Sequence, residues 1–200
     1  MNRSSYDAIA SAWDGVRTSF YGCEKVYLDR LLDGLPIPSP ILDLGCGTGR
    51  PIAEYILSQG HQLMGVDQAT QLLNIARSRL PAGHWIESSI ETFESTEQFA
   101  AIVCWDALFH IDRSLHESIF TRMATLLNPG GKVMLTVGGS EHPAFTDTMF
   151  GETFFYDSHP PEMVLDLLQR SGFKILMSDF INQPTDGRDK GRYGIVAQLF

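Results

Sequence analysis

Apolar positions along the chain switch between two periods, and the switches mark out its elements. Tyr6, Ile9, Ala10, Trp13 and Arg17 fall three or four apart, which predicts one face of a helix over 4–17 with Ser4, Ser5 and Asp7 as start signals. Val26, Leu28, Leu31 and Leu32 repeat that spacing over 21–32, and 34–40 reads as a Pro-rich linker. Ile41 to Leu44 is a short apolar strand. Gly45, Gly47 and Gly49 then make a tight turn in which missing β-carbons let backbone approach a ligand. Pro51 suits the first turn of a helix striped by Ile52, Ala53, Ile56 and Leu57, with Gly60 as its stop. A second strand over 62–66 ends in Asp67.

Strand and helix keep alternating. Ala69, Leu72, Leu73, Ala76 and Leu80 predict a helix stopped by Pro81-Ala82-Gly83, and 84–87 is a third strand. Residues 99–104 are apolar throughout, as a parallel strand covered on both faces should be. Asp112 reads as the N-cap of a helix whose buried stripe is Leu115, Ile119, Met123, Leu126 and Leu127, stopped by Asn128-Pro129-Gly130-Gly131. A strand over 132–137 follows. Regularity then breaks from 138 to 160, where Phe145, Phe150, Phe154, Phe155 and Tyr156 predict either a substrate lid or a small hydrophobic cluster. Pro160-Pro161 open a last helix with Met163, Leu167 and Leu168 apolar, and two strands over 173–181 and 192–200 close the chain. The alternation predicts a single α/β domain around a doubly wound, mostly parallel sheet with helices on both faces.

The glycine turn narrows the ligand. Dinucleotide folds use G-x-G-x-x-G to set a helix N-terminus against a pyrophosphate. Here the run is Asp43-Leu44-Gly45-Cys46-Gly47-Thr48-Gly49, with an acid two residues before the first glycine. That carboxylate repels a pyrophosphate and suits a ligand carrying an ammonium group. With Pro51 and Asp67 at their spacings, the stretch resembles the first motifs of the class I S-adenosylmethionine-dependent methyltransferases. The resemblance implies S-adenosyl-L-methionine as cofactor and S-adenosyl-L-homocysteine as product. It implies that Asp43, Gly45, Cys46, Gly47, Thr48, Gly49 and Pro51 surround the methionine part, and that Asp67, with Gln68 beside it, takes the ribose hydroxyls. Ser89 stands where many relatives carry an acid for the adenine amino group, a departure from the pattern, and Ile90 falls beneath the ring.

Further along, Trp105-Asp106-Ala107-Leu108-Phe109-His110-Ile111 resembles the W-D-[SA]-x-F-H stretch of small bacterial methyltransferases. That places Trp105 at the cofactor, and Asp106 and His110 beside the methyl group. Two roles fit His110, a general base or a histidine bonded to backbone that shapes the pocket. Asp106 either orients an amine or caps a turn. The D/N-P-P-Y of enzymes that methylate DNA amino groups is absent. Tyr6, Trp13 and Arg17 form either a packing face or, as in similar methyltransferases, a lid whose Arg17 or Tyr6 meets the cofactor carboxylate. The two closing strands resemble the antiparallel sheet edge of that family, giving seven strands with the last one antiparallel. The expected organisation is 1–39 as lid helices, 40–137 as cofactor core, 138–160 as a substrate-side insertion and 161–200 as the closing helix and strands.

Composition changes this picture little. A net charge of -9 with no basic run argues against nucleic acid, which needs clustered cations. Cys23, Cys46 and Cys104 are odd in number without C-x-x-C spacing, which predicts reduced thiols and no zinc site. No apolar run suggests a signal peptide or a membrane span, so the cytoplasm is expected. The expected function is methyl transfer to a small-molecule acceptor by a monomer or homodimer without a metal. A catalytically silent cofactor-binding module and a nucleotide-dependent oxidoreductase are the alternatives.

Overall fold

The computed structural model describes residues 2–200 and arranges them around one large sheet. Its strands are β1 (Pro40–Leu44), β2 (Gln62–Asp67), β3 (His84–Glu87), β4 (Phe99–Cys104), β5 (Leu127–Gly138), β8 (Phe173–Asn182) and β9 (Arg192–Leu199), while β6 (Phe145–Met149) and β7 (Glu152–Tyr156) form a separate hairpin. Strand order is β3-β2-β1-β4-β5-β9-β8. The first five run parallel, and β9 runs antiparallel to both β5 and β8. The sheet is therefore seven-stranded, mostly parallel, and closed by an antiparallel last strand, as expected.

Alternation along the central strands sends successive side chains to opposite faces. Leu42, Leu44, Ile102, Cys104, Val133 and Leu135 pack under α5 (His116–Leu126) and α6 (Pro161–Arg170). On the other face, Ile41, Ala101, Val103 and Met134 meet Tyr27, Leu28 and Leu31 of α2 (Glu24–Leu32), Ala53 and Ile56 of α3 (Ile52–Ser58), and Leu73 and Ala76 of α4 (Thr70–Arg79). Ala10 of α1 (Arg3–Val16) packs on Ala69 and Leu72, so the first helix lies against α4. Among the described residues no helix is long and apolar enough to cross a membrane.

Several expected positions shift. Val26 and Met163 are exposed and their neighbours Tyr27 and Val164 are buried, while Leu28, Leu31, Leu167 and Leu168 are buried as the spacing predicts. Leu115 is also exposed, because Asp112 caps a 3-10 turn over Arg113–Leu115 and α5 starts only at His116. Ser4 and Ser5 cap nothing. The helix starts at Arg3, and the Ser5 hydroxyl donates 2.7 Å to the Thr153 carbonyl of the hairpin. Asn128 to Gly131 do not separate helix from strand: Leu127 already pairs with Phe99, and the ladder breaks register before Ala101 meets Lys132.

Candidate functional site

The C-terminal ends of β1, β2 and β4 meet in one cleft, the place where open α/β sheets hold ligands. Its floor is the glycine turn. Gly45 and Gly47 sit at φ +79° and +56°, in the left-handed region. A β-carbon on Gly45 would stand 2.6 Å from the Ala107 Cβ, and one on Gly47 would stand 3.8 Å from the Trp13 Nε1. Gly49 serves a different purpose: a β-carbon there would strike the Leu80 and Trp85 side chains, at 2.8 and 3.1 Å. Gly49, Pro51 and Ser89 fall outside the cleft wall. The Ser89 hydroxyl bonds Thr92 at 2.8 Å, and Ser88 and Glu91 line the cleft on either side of Ile90.

Two buried carboxyl groups flank the turn. The Asp67 Oδ2 accepts the Gly47 N–H at 2.9 Å and its Oδ1 accepts the Ala69 N–H at 2.9 Å. Each oxygen keeps a lone pair, so the carboxylate is aimed without being saturated. Burial raises its pKa, and those N–H donors oppose the rise. Burial also pushes Asp43 up to about 7, the nearby Asp67 charge adds to the shift, and Arg17 opposes it. The Thr48 hydroxyl oxygen is buried in the cleft wall with no hydrogen-bond partner. Cys46 lines the same turn as a neutral thiol, pushed far up by burial. Gln68, Ile90 and Trp105 complete this side.

Above the turn lies α1, tied down along its length. Asp7 accepts the Gln71 N–H at 2.8 Å. Asp14 receives both ends of the Arg79 guanidinium, at 2.6 and 2.7 Å, and the same arginine reaches the Thr48 carbonyl at 3.3 Å. Tyr6 and Trp13 pack edge to face, 6.0 Å between ring centres, and both line the cleft. Arg17 lines it too, yet its guanidinium is forked onto Glu24 and donates at 3.1 Å to the Ser19 carbonyl. Free space beneath the helix is about 100 Å³, below the roughly 300 Å³ at which ligand pockets begin.

Asp106 and His110 border the far end. Asp106 holds φ +52°, a strained value for a non-glycine residue. The Thr136 hydroxyl accepts its N–H at 2.6 Å, and Arg192 pairs with its carboxylate at 2.8 Å. The His110 Nε2 lies 2.9 Å from the Tyr6 hydroxyl, and its Nδ1 lies 3.0 Å from the Phe155 carbonyl and 2.8 Å from the Asn2 amide nitrogen. Burial pulls this imidazole down to about 4. Both ring nitrogens are thus engaged and the ring is neutral. Asn2, which the sequence did not mark, zips onto the hairpin: its Nδ2 donates to the Phe155 carbonyl and its Oδ1 accepts the Phe155 N–H, each at 2.9 Å. An asparagine before a helix reads as a cap, and nothing local signals a partner 153 positions away.

A family described as methyltransferase domain matches residues 41–131. The ubiquinone biosynthesis O-methyltransferase of Xanthomonas oryzae pv. oryzae is 28% identical over 164 residues, 74% of this chain and 65% of that protein, so the chain spans less than two thirds of that relative. The Burkholderia thailandensis 1,6-didemethyltoxoflavin-N1-methyltransferase, solved with its substrate and S-adenosylhomocysteine, superposes with a TM-score of 0.72 at 20% identity, covering 98% of this chain and 84% of that one. The Synechocystis magnesium protoporphyrin IX methyltransferase, with a TM-score of 0.76 at 13% identity, covers 99% and 95%. These two likenesses are of fold. Residues 41–131 therefore match a methyltransferase domain, and the sheet order agrees with the fold shared with these two methyltransferase structures.

Proposed function

We propose that the chain transfers the methyl group of S-adenosylmethionine to a small-molecule acceptor. The observation that carries this reading is the pair of buried carboxyl groups, Asp43 and Asp67, on either side of a left-handed glycine turn in one cleft. The donor set fits the cofactor. Asp43 is an anionic partner for an ammonium group, Asp67 has spare acceptor capacity for two hydroxyls, and the unpartnered Thr48 hydroxyl oxygen accepts from a ligand donor. Ile90 offers an apolar surface for a base, and Ser88 and Glu91 offer polar edges.

The bound cofactor supplies a methyl group on a sulfonium, already primed to leave as a thioether. The chain's own contribution is then alignment and exclusion of water. Trp13 and Tyr6 close over the turn, and the Asp14–Arg79 pair holds them there. The Tyr6 hydroxyl is bonded to the His110 Nε2, and both line the cleft, so His110 holds that hydroxyl in place. Asp106 is fixed by Arg192 where it can orient a donor group of the acceptor. The relatives named for ubiquinone biosynthesis, toxoflavin and magnesium protoporphyrin support small molecules as the acceptor class.

Thermal unfolding tests the assignment. S-adenosylhomocysteine at about 100 times its dissociation constant should stabilise the protein by roughly 2.7 kcal/mol, while NAD and NADP leave Tm unchanged. Stabilisation by NAD and none by S-adenosylhomocysteine would refute the reading.

A further inference from the structure

A second cavity, about 390 Å³, lies on the other side of His110. Its rings come from the insertion and from the loop after β4. Phe145 and Tyr156 are stacked, 5.2 Å between centres and 14° between planes, and Phe109 lies 6.2 Å from Tyr156 at 25°. All three are half-buried, with His142 packed against Phe145 at 5.2 Å and His110 against Tyr156 at 4.8 Å, and the rest of their ring surface faces the cavity.

Charge in the wall cancels. Asp147, Asp157 and Asp189 face Arg188, Lys190 and Arg192, three against three. Most of these groups are already spoken for. Arg188 pairs with Asp147, Arg113 holds Asp157 at 2.5 Å, and Arg192 reaches Asp106 at 2.8 Å. Asp189 accepts the Gly191 N–H at 2.9 Å and the Asn182 amide at 3.1 Å, and Lys190 donates to the Gly187 carbonyl at 3.1 Å. A ligand seated here finds aromatic surface without an uncompensated charge.

The partition between the two spaces is thin. The His110 ring is 4.8 Å from the Tyr156 ring on this side, while its Nε2 touches Tyr6 on the cleft side. Arg192, in this wall, is bonded to Asp106, in the wall of the cleft.

We propose that this cavity is the acceptor site, built for a flat, uncharged aromatic ring that extends the Phe145–Tyr156 stack and points a hydroxyl or amine at Asp106 and His110. The direction of that reacting group rests on the methyl-transfer reading, whereas the ring site itself does not.

The test uses 2-naphthol as the probe, with 2-decalol as its saturated counterpart and 2-naphthoate as its anion, titrated into the full chain by calorimetry. 2-Naphthol should bind, and 2-decalol should bind about two- to tenfold more weakly, the loss of the stacking that a saturated ring cannot make. 2-Naphthoate should bind more weakly than 2-naphthol. Tyr156→Leu and Phe145→Leu should each weaken 2-naphthol by a similar factor without changing S-adenosylhomocysteine affinity, and Tyr156→Phe should preserve binding of both. No binding of 2-naphthol to wild type overturns the proposal, as does tighter binding of the naphthoate or of the decalol. Displacement of 2-naphthol by S-adenosylhomocysteine also overturns it, since that puts the ring in the cofactor cleft. Where a leucine variant misfolds, the three probes on wild type decide alone. S-adenosylhomocysteine binding without 2-naphthol binding rejects the ring site only, and the converse rejects only the methyl-transfer reading.

Discussion

The Tyr6 hydroxyl lies 2.9 Å from the His110 Nε2, which joins the first helix to the segment after β4. Asn2 completes the joint from the other side of the ring, bonded to the Phe155 backbone through both atoms of its amide. The first helix, the histidine and the hairpin are thereby bonded to one another.

Asn2→Ala takes that joint apart. The Phe155 N–H loses its partner in a part-buried place, which should cost about 1–3 kcal/mol of stability. Urea unfolding checks the number, and hydrogen exchange should quicken in α1 and in the hairpin together. Faster exchange in α1 alone would mean that the two do not move as one.

Arg17 and Glu24 form a buried ion pair, so Arg17→Ala leaves a carboxylate stranded. Removing one partner of such a pair costs about 3–5 kcal/mol. Adding Glu24→Gln should recover much of that loss in denaturant unfolding. In the Glu24→Gln background, Arg17→Ala should weaken S-adenosylhomocysteine and spare 5'-methylthioadenosine, which lacks the carboxylate. Equal loss of both ligands would remove Arg17 from carboxylate recognition.

Asp43 makes cofactor affinity depend on pH. Its folded-state value is raised to about 7, and an ammonium ligand needs the ionised form. Binding therefore releases a proton below neutrality, and affinity should fall about tenfold for each pH unit below 7. Calorimetry in buffers of different ionisation enthalpy reads the released proton directly. Asp43→Asn should bind weakly at every pH with a flat profile; a wild-type profile that is flat between pH 5 and 8 contradicts this role.

His110 and His116 set the acid limit. Burial holds both imidazoles at about 4, below their ordinary 6.5, and His159 adds to the shift at His116 while Asp157 opposes it. A lowered folded value means that stability is fully present above 6.5 and is lost as pH falls through about 4. Each contributes up to about 3 kcal/mol by linkage. Asp43 acts in the opposite sense, because its raised value favours the folded state below 4 and loses that favour as pH rises through 7. Asp67, also raised by burial, acts in the same sense as Asp43, so the two carboxyl groups offset part of the histidine loss. Unfolding at graded pH should show wild type losing more stability than His116→Phe as pH falls from 6.5 to 4; an equal change in the two proteins would contradict the burial argument.

How much of this was legible in the sequence depended on range. The order of strands and helices, the glycine turn and Asp67 are local patterns of period and spacing, and they carried the fold and the proposed cofactor side. Gly49 looked like its neighbours in the turn, yet its missing Cβ serves Trp85 packing. Arg17 stood in the sequence as a cation on an apolar stripe, and only folding brought Glu24 against it. Asn2, the Asp14–Arg79 latch and the Arg192–Asp106 pair join residues far apart along the chain, and no spacing rule reaches that far. The aromatics of the insertion were visible as composition; their stacking was not.

The most direct test of the central claim is a crystal structure of the chain with S-adenosylhomocysteine. The account predicts the ligand ammonium on Asp43, both ribose hydroxyls on Asp67, and the open side of sulfur turned toward Asp106 and His110. Ribose hydroxyls directed away from Asp67, or a sulfur whose open side faces solvent beyond α1, would contradict it.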